Sequence, residues 1–116
     1  MLKLYLKPNC STCRKARTLL RDGGAVFQEI DLNRGLSEAE LDTLIGARDY
    51  RQFLNTRNEL YRERGMKKNP PSRAEALHLM SQHPNLIKRP ILVRDGRMVL
   101  GCDEEAIGAL VLIERG

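Results

Sequence analysis

The sequence predicts one α/β domain, and three observations carry that expectation. The chain opens on a period-two apolar pattern, passes to a helical one, and returns to a short apolar run. Its middle holds two Ser-x-x-Glu capping signals, and near its end two apolar runs flank Asp95-Gly96. A length of 116 residues suits one domain over 1–116. Leu, Ile, Val and Phe make up about a quarter of the chain, above the range of disordered sequences. With aromatics at 4% and no Trp, the core must be built from Leu and Ile. That suits helices on a small sheet better than a sandwich rich in aromatic and β-branched residues.

The elements follow in order. Leu2, Leu4 and Leu6 alternate with Lys3, Tyr5 and Lys7, the signature of a strand, and Pro8-Asn9 stops it. From Thr12 to Asp22, Cys13, Ala16, Leu19 and Leu20 recur at helical spacing, and Gly23-Gly24 ends the helix. Ala25 to Asp31 reads as a second strand whose apolar members are Val26, Phe27 and Ile30. A βαβ unit makes these two strands parallel. Ser37-Glu38-Ala39-Glu40 caps a helix carrying Leu41, Leu44 and Ile45, and one or two short helices follow between Tyr50 and Arg64. Ser72-Arg73-Ala74-Glu75 opens another helix, which His83-Pro84 closes. Ile91-Leu92-Val93 and Met98-Val99-Leu100 around Asp95-Gly96 form a hairpin. Asp103 caps a last helix with Ile107, Leu110, Val111 and Ile113. The resulting order is the thioredoxin topology, a four-stranded mixed sheet with a helical insertion at about 36–85.

Composition narrows the class. No apolar run approaches the roughly 20 residues of a membrane span, and the first residues lack the apolar core of a secretory signal. Three cysteines make a poor disulfide framework, so a reduced, cytoplasmic protein is expected. The formal net charge is +5, but the arginines are scattered and often sit beside acids. A solvated basic surface explains this better than direct nucleic-acid binding.

The chemistry concentrates in Cys10-Ser11-Thr12-Cys13, a C-x-x-C between a strand and a helix. A helix N-terminus offers unpaired N–H groups and a positive dipole end, both of which favour a thiolate. Arg14, Lys15 and Arg17 add positive charge. Cys10, at the helix start, is the expected nucleophile, and Cys13, one turn in, the resolving thiol. Two buried, inert cysteines are the plainer alternative. Half of a zinc site is a third, but the remaining ligands would have to come from Cys102, His78 and His83. His78 reads as a solvated helix residue and His83 as part of a helix terminator, so no metal is expected.

The stretch Tyr5-Leu6-Lys7-Pro8-Asn9-Cys10-Ser11-Thr12-Cys13-Arg14-Lys15-Ala16-Arg17 resembles the opening of the arsenate reductase and Spx family. Asn55-Thr56-Arg57 with Tyr61 resembles its middle signature. His83-Pro84-Asn85-Leu86-Ile87-Lys88-Arg89-Pro90-Ile91 resembles its most specific one, and Gly101 before an acidic stretch also fits. The likeness spans about residues 2–110. It implies a thioredoxin-like fold with Pro90 as a cis-proline facing the active cysteine. It also implies that Arg57 and Arg89 bind an oxyanion, a task their planar guanidinium forks suit. The alternatives are a surface role for Arg57 and a structural hydrogen bond for Arg89.

Two branches of that family imply different functions. The reductases attack arsenate with one cysteine and draw on glutathione and a glutaredoxin- or thioredoxin-type donor, with no bound cofactor. The Spx regulators bind RNA polymerase under control of a C-x-x-C disulfide. Here Cys13 stands where the reductases commonly have serine, and Cys102 stands near the place of an expected third arginine. Cys13 favours the regulator, while the polymerase-contacting segment, here Gly46-Ala47-Arg48-Asp49-Tyr50, carries no legible match. The expectation is a thiol-dependent reductase of an oxyanion or a disulfide, with the Spx-type regulator as the alternative. Cys102 is expected to be a small residue near the site.

Overall fold

The structure, a computed structural model, describes residues 1–115, with side chains described as far as Leu112. The chain divides into two compact units, Met1–Leu32 with Arg89–Gly116, and Asn33–Lys88.

The first unit holds the sheet. Strands β1 (Leu2–Leu6), β2 (Phe27–Asp31), β3 (Ile91–Arg94) and β4 (Arg97–Leu100) lie in the order β2-β1-β3-β4. β1 and β2 run parallel, as a crossover through helix α1 (Ser11–Asp22) requires, and the other pairs are antiparallel. The register Leu4↔Leu92↔Val99 puts three buried side chains in one row on one face. Onto that face α1 packs Cys13, Ala16 and Leu20, and helix α5 (Glu104–Arg115) packs Ile107, Leu110 and Val111. The strand alternation and the helical period therefore converge on one core. Truncating one of these leucines, as in Leu4→Ala, should cost roughly 2–5 kcal/mol. The predicted contribution of Ile113 lies outside the described residues.

Two turns shape the second half of this unit. Asp95 (φ 45°) and Gly96 (φ 81°) close the β3–β4 hairpin as a two-residue turn. Positive φ at both positions matches the right-handed strand twist, and Asp-Gly supplies it at low cost. Ahead of β3 the Arg89–Pro90 peptide bond is cis, as the resemblance implied. The Pro90 carbonyl accepts the Gly101 N–H at 2.8 Å, fixing the segment before β3 against the end of β4. These features make the fold thioredoxin-like. The second strand begins at Phe27 rather than Ala25, and Val26, expected among its apolar members, is 66% exposed. Ala25 N–H bonds back to the Leu20 carbonyl, so Ala25 still belongs to the turn after α1.

The second unit is the helical insertion. Helix α2 (Glu38–Ile45) starts with a closed capping box: Ser37 Oγ accepts the Glu40 N–H, and Glu40 returns a carboxylate oxygen to the Ser37 N–H. A 3₁₀ turn (Tyr50–Phe53), helix α3 (Glu59–Glu63), helix α4 (Arg73–Gln82) and a second 3₁₀ turn (Pro84–Leu86) follow. The second predicted box is only half present. Ser72 Oγ accepts the Glu75 N–H, while the Glu75 carboxylate lies 3.8 Å from Arg64. Leu41, Ile45, Phe53, Met80, Leu86 and Ile87 are fully buried, a Leu/Ile core with a single aromatic ring. Sequence periodicity missed the antiparallel bridge Leu54↔Ile87. It is clamped by Asn55 N–H to Leu86 O (2.7 Å) and Lys88 N–H to Phe53 O (2.8 Å), and Leu54 and Ile87, each directly after a 3₁₀ turn, are extended.

No helix among the described residues is long and apolar enough to cross a membrane.

Candidate functional site

The site is built on the junction of β1 and α1. Pro8-Asn9 turns the chain, with the Cys10 N–H bonded to the Lys7 carbonyl at 3.0 Å, and the helix begins at Ser11. Cys10 is the N-cap, in an extended conformation (φ −91°, ψ 126°), and its carbonyl accepts the Arg14 N–H. No oxygen-bearing side chain caps α1, and its first turn contains no acid. The unpaired N–H groups and the positive end of the helix dipole are therefore left to the cysteine sulfur.

The two thiols sit in opposite environments. Cys10 is partly buried, and Cys13 is inaccessible within the core beneath the sheet. Burial alone would push the Cys10 thiol up. Hydrogen bonds from the Thr12 hydroxyl, the Cys13 N–H, the Cys13 thiol and Arg89 outweigh it and bring Cys10 down to about 6. Burial dominates at Cys13 and pushes it up to about 12, aided by the neighbouring Cys10 sulfur and opposed by the Lys7 backbone and Arg89. At neutral pH Cys10 is thus a thiolate and Cys13 a thiol that donates to it. Both are free thiols in this structure, placed within hydrogen-bonding reach of each other.

Cationic groups surround the sulfur. Arg89, directly before the cis-proline, reaches Cys10. Lys7, at the end of β1, is lowered by burial and by Arg89, and raised by Asp31 and the two cysteines. Lys7, Asp31 and Arg89 thus form one electrostatic group with the thiol pair.

Of the residues the sequence singled out, the structure brings Cys10, Cys13, Arg89 and Pro90 into the first unit's site region. Cys102, on the turn between β4 and α5, is raised by burial and by Glu104 and Asp103 and lowered by Lys15. Lys15 in turn pairs with Glu104 across α1 and α5. Cys102 therefore lies within electrostatic range of Lys15 on α1. Arg57 belongs to the second unit and is exposed, with its N–H donating to Asn55 Oδ1 (3.1 Å). Sequence reasoning missed Thr12 and Lys7. The signal for both was position alone, one inside the C-x-x-C and one just before it. Among the described residues no cluster of three or more His, Cys, Asp or Glu could hold a metal.

A thioredoxin-like fold with an asymmetric thiol pair at the start of its first helix defines the structural class of this chain. Within that class the chain belongs to the ArsC family, whose profile it matches over residues 5–110. It is 32% identical to the global transcriptional regulator Spx of Streptococcus mutans, over 96% of this chain and 83% of that protein. Among solved structures it is similar to an arsenate reductase from Vibrio cholerae, with 31% identity, TM-score 0.79, and coverage of 97% and 96% of the two chains. It is also similar to a possible arsenate reductase from Streptococcus mutans UA159, with 33% identity, TM-score 0.73, and coverage of 87% and 90%.

Proposed function

We propose that the protein is a thiol-dependent reductase in which Cys10 attacks and Cys13 resolves. The observation that supports this reading most is the split of the two thiols, one brought down to about 6 and accessible, the other pushed up to about 12 and buried. With a disulfide substrate, the Cys10 thiolate attacks one sulfur and expels the other as a thiolate. Cys13 then loses its proton to that leaving group or to water and attacks the Cys10 sulfur. The Cys10–Cys13 bond forms as the second half of the substrate departs as a thiolate. With arsenate, attack on arsenic expels hydroxide, which leaves as water. The Cys13 attack then breaks the sulfur–arsenic bond and leaves the electron pair on arsenic, so that As(V) becomes As(III). Either cycle closes when glutathione or a glutaredoxin- or thioredoxin-type donor reduces the disulfide.

The same split explains how a thiol with so high a pKa can act. Two of the influences that hold Cys13 up are the hydrogen bond to Cys10 and the charge of its sulfur. Once Cys10 is covalently occupied both vanish, and Arg89 still favours the Cys13 thiolate. Resolution is therefore easiest after attack has occurred. Arg89 and the α1 N-terminus supply anion binding on this reading. Arg57 joins them through the family motif alone. The reading sets the reaction in the cytoplasm, where a thiol pair is kept reduced.

Coupled turnover with NADPH, glutathione and glutaredoxin, on arsenate and on a small disulfide, tests the proposal. Saturable turnover lost in Cys10→Ser supports it, and absence of turnover with both substrates sinks it. Arg57→Ala and Arg89→Ala should each weaken arsenate use at least tenfold. A second reading, an Spx-type regulator that binds RNA polymerase, is favoured by the identity to the Streptococcus regulator. Recovery of RNA polymerase from lysate in a manner that depends on the oxidation state of the pair would decide for it.

A further inference from the structure

The Cys10 sulfur is faced from three elements: by Lys7 at the end of β1, by Thr12 and Cys13 on α1, and by Arg89 before β3, with Asp31 at the end of β2 acting on Lys7. Thr12 is the one neutral hydroxyl in this set, and its placement has a specific cause. Threonine inside a helix ordinarily turns its hydroxyl onto a carbonyl of the preceding turn. Thr18 on the same helix does so, donating to the Arg14 carbonyl at 3.0 Å. Thr12 is the second residue of α1, so the residues one turn before it lie outside the helix. Its Cα–Cβ bond still tilts toward the N-terminus, as in any helix, and aims the hydroxyl back over the N-cap. The group standing there is the Cys10 sulfur.

We propose that Thr12 is the positioning residue that sets the reactivity of Cys10, its hydroxyl holding the sulfur at 3.1 Å and donating to it in the ionised form. This rests on reading Cys10 as the nucleophile. Among the contacts that favour the Cys10 thiolate, the one from Thr12 is the largest. Thr12 is exposed, so the contact does not serve core packing. Its stiff, β-branched side chain loses little freedom in making it. Ser11, one residue earlier, cannot substitute, because successive helical side chains point about a third of a turn apart. In the neutral form the roles reverse and the thiol donates to the Thr12 oxygen. The hydroxyl thus accompanies the sulfur through both protonation states, and is released when Cys10 becomes covalently bound.

The test is the pH dependence of Cys10 alkylation by iodoacetamide, checked by thiolate absorbance, in a Cys102→Ser background that removes the other partly exposed thiol. Thr12→Val, nearly isosteric, should move the acidic transition upward by about one pH unit, which is about fivefold less thiolate at pH 6. Thr12→Ser should restore most of it. Thr12→Ala serves as a second hydroxyl-free variant if the valine alters folding, as judged by circular dichroism. A Val or Ala profile that superimposes on the parent overturns the proposal, as does a Ser profile shifted as far as the Val one. If the parent shows no acidic transition, both this proposal and the nucleophile reading fall. If the parent and variants behave as expected but no substrate turns over, only the reductase reading falls.

Discussion

Helices α1 and α2 begin with the same four unpaired N–H groups and treat them in opposite ways. At α2 a serine and a glutamate close a reciprocal box, and Glu38 and Glu40 place negative charge over the dipole. α4 has Ser72 with Glu75, and α5 has Asp103 with Glu104 and Glu105. α1 has a cysteine at the cap, no side-chain cap bond and no acid in its first turn. The first treatment fixes where a helix starts. The second leaves the helix end to a sulfur, which burial pushes up but which hydrogen bonds from Thr12, Cys13 and Arg89 bring down to about 6. A helix end without the usual stabilising residues can thus mark the chemistry as clearly as the residues present do.

Removing the sulfur breaks the contrast most completely. Cys10→Ser should cut alkylation at pH 6 by at least a hundredfold, because Cys13 is buried and protonated there and burial also holds the Cys102 thiol up. Cys13→Ser should leave fast alkylation of Cys10 in place, and mass spectrometry of the labelled peptide separates the two.

The stability of the reduced protein carries the next largest effect. Cys10 titrates lower in the folded chain than in the unfolded one, so between about pH 6 and 9 the unfolded state binds more protons and stability rises with pH. The contribution is lost as pH falls through 6. Cys13 works the other way: its folded value near 12 lies above the unfolded one, so stability falls as pH climbs past 9. Urea melts at half-unit pH steps should show a rise of the order of a hundredfold in the folding constant across pH 6–9. Cys10→Ser should flatten that rise. A parent curve that is flat over that range would contradict a thiolate stabilised by folding.

Smaller changes sharpen the comparison from each side. Ser37→Ala removes the hydroxyl half of the α2 box and should cost about 1 kcal/mol in a chemical melt. The reactivity of Cys10 should not change. Ser11→Glu gives α1 the acid its first turn lacks. It should raise the Cys10 transition and reduce thiolate at pH 6 by about threefold, while slightly strengthening the helix.

The elements that sequence patterns made legible are those where one local rule decides. Leu2, Leu4 and Leu6 alternate on the face they bury, Asp95-Gly96 supplies the two positive φ values of its turn, and Ser37 and Glu40 lie at box spacing. Val26 misled because an apolar residue beside a strand reads as part of it, whereas the preceding turn still holds the backbone. The bridge at Leu54 and Ile87 was invisible because two single extended residues far apart in sequence show no period. At the site, the cysteines and the basic residues could be read from their types. The work of Thr12 could not, because it depends on which way one hydroxyl turns. Nor could the coupling of Lys7 to Asp31 and Arg89, since strand register and a loop bring those charges together.

Gly23, where α1 ends, has an ordinary helical backbone (φ −77°). A methyl group there would lie 2.9 Å from Val111 Cγ1 and 3.3 Å from the Leu19 carbonyl. Space, not torsion, excludes other residues, and valine's stiff χ1 gives it little room to step aside. Positions 23 and 111 therefore share a single allotment of volume. Across related sequences they should trade size in concert, a larger residue at one accompanying a smaller one at the other, like two occupants of one seat.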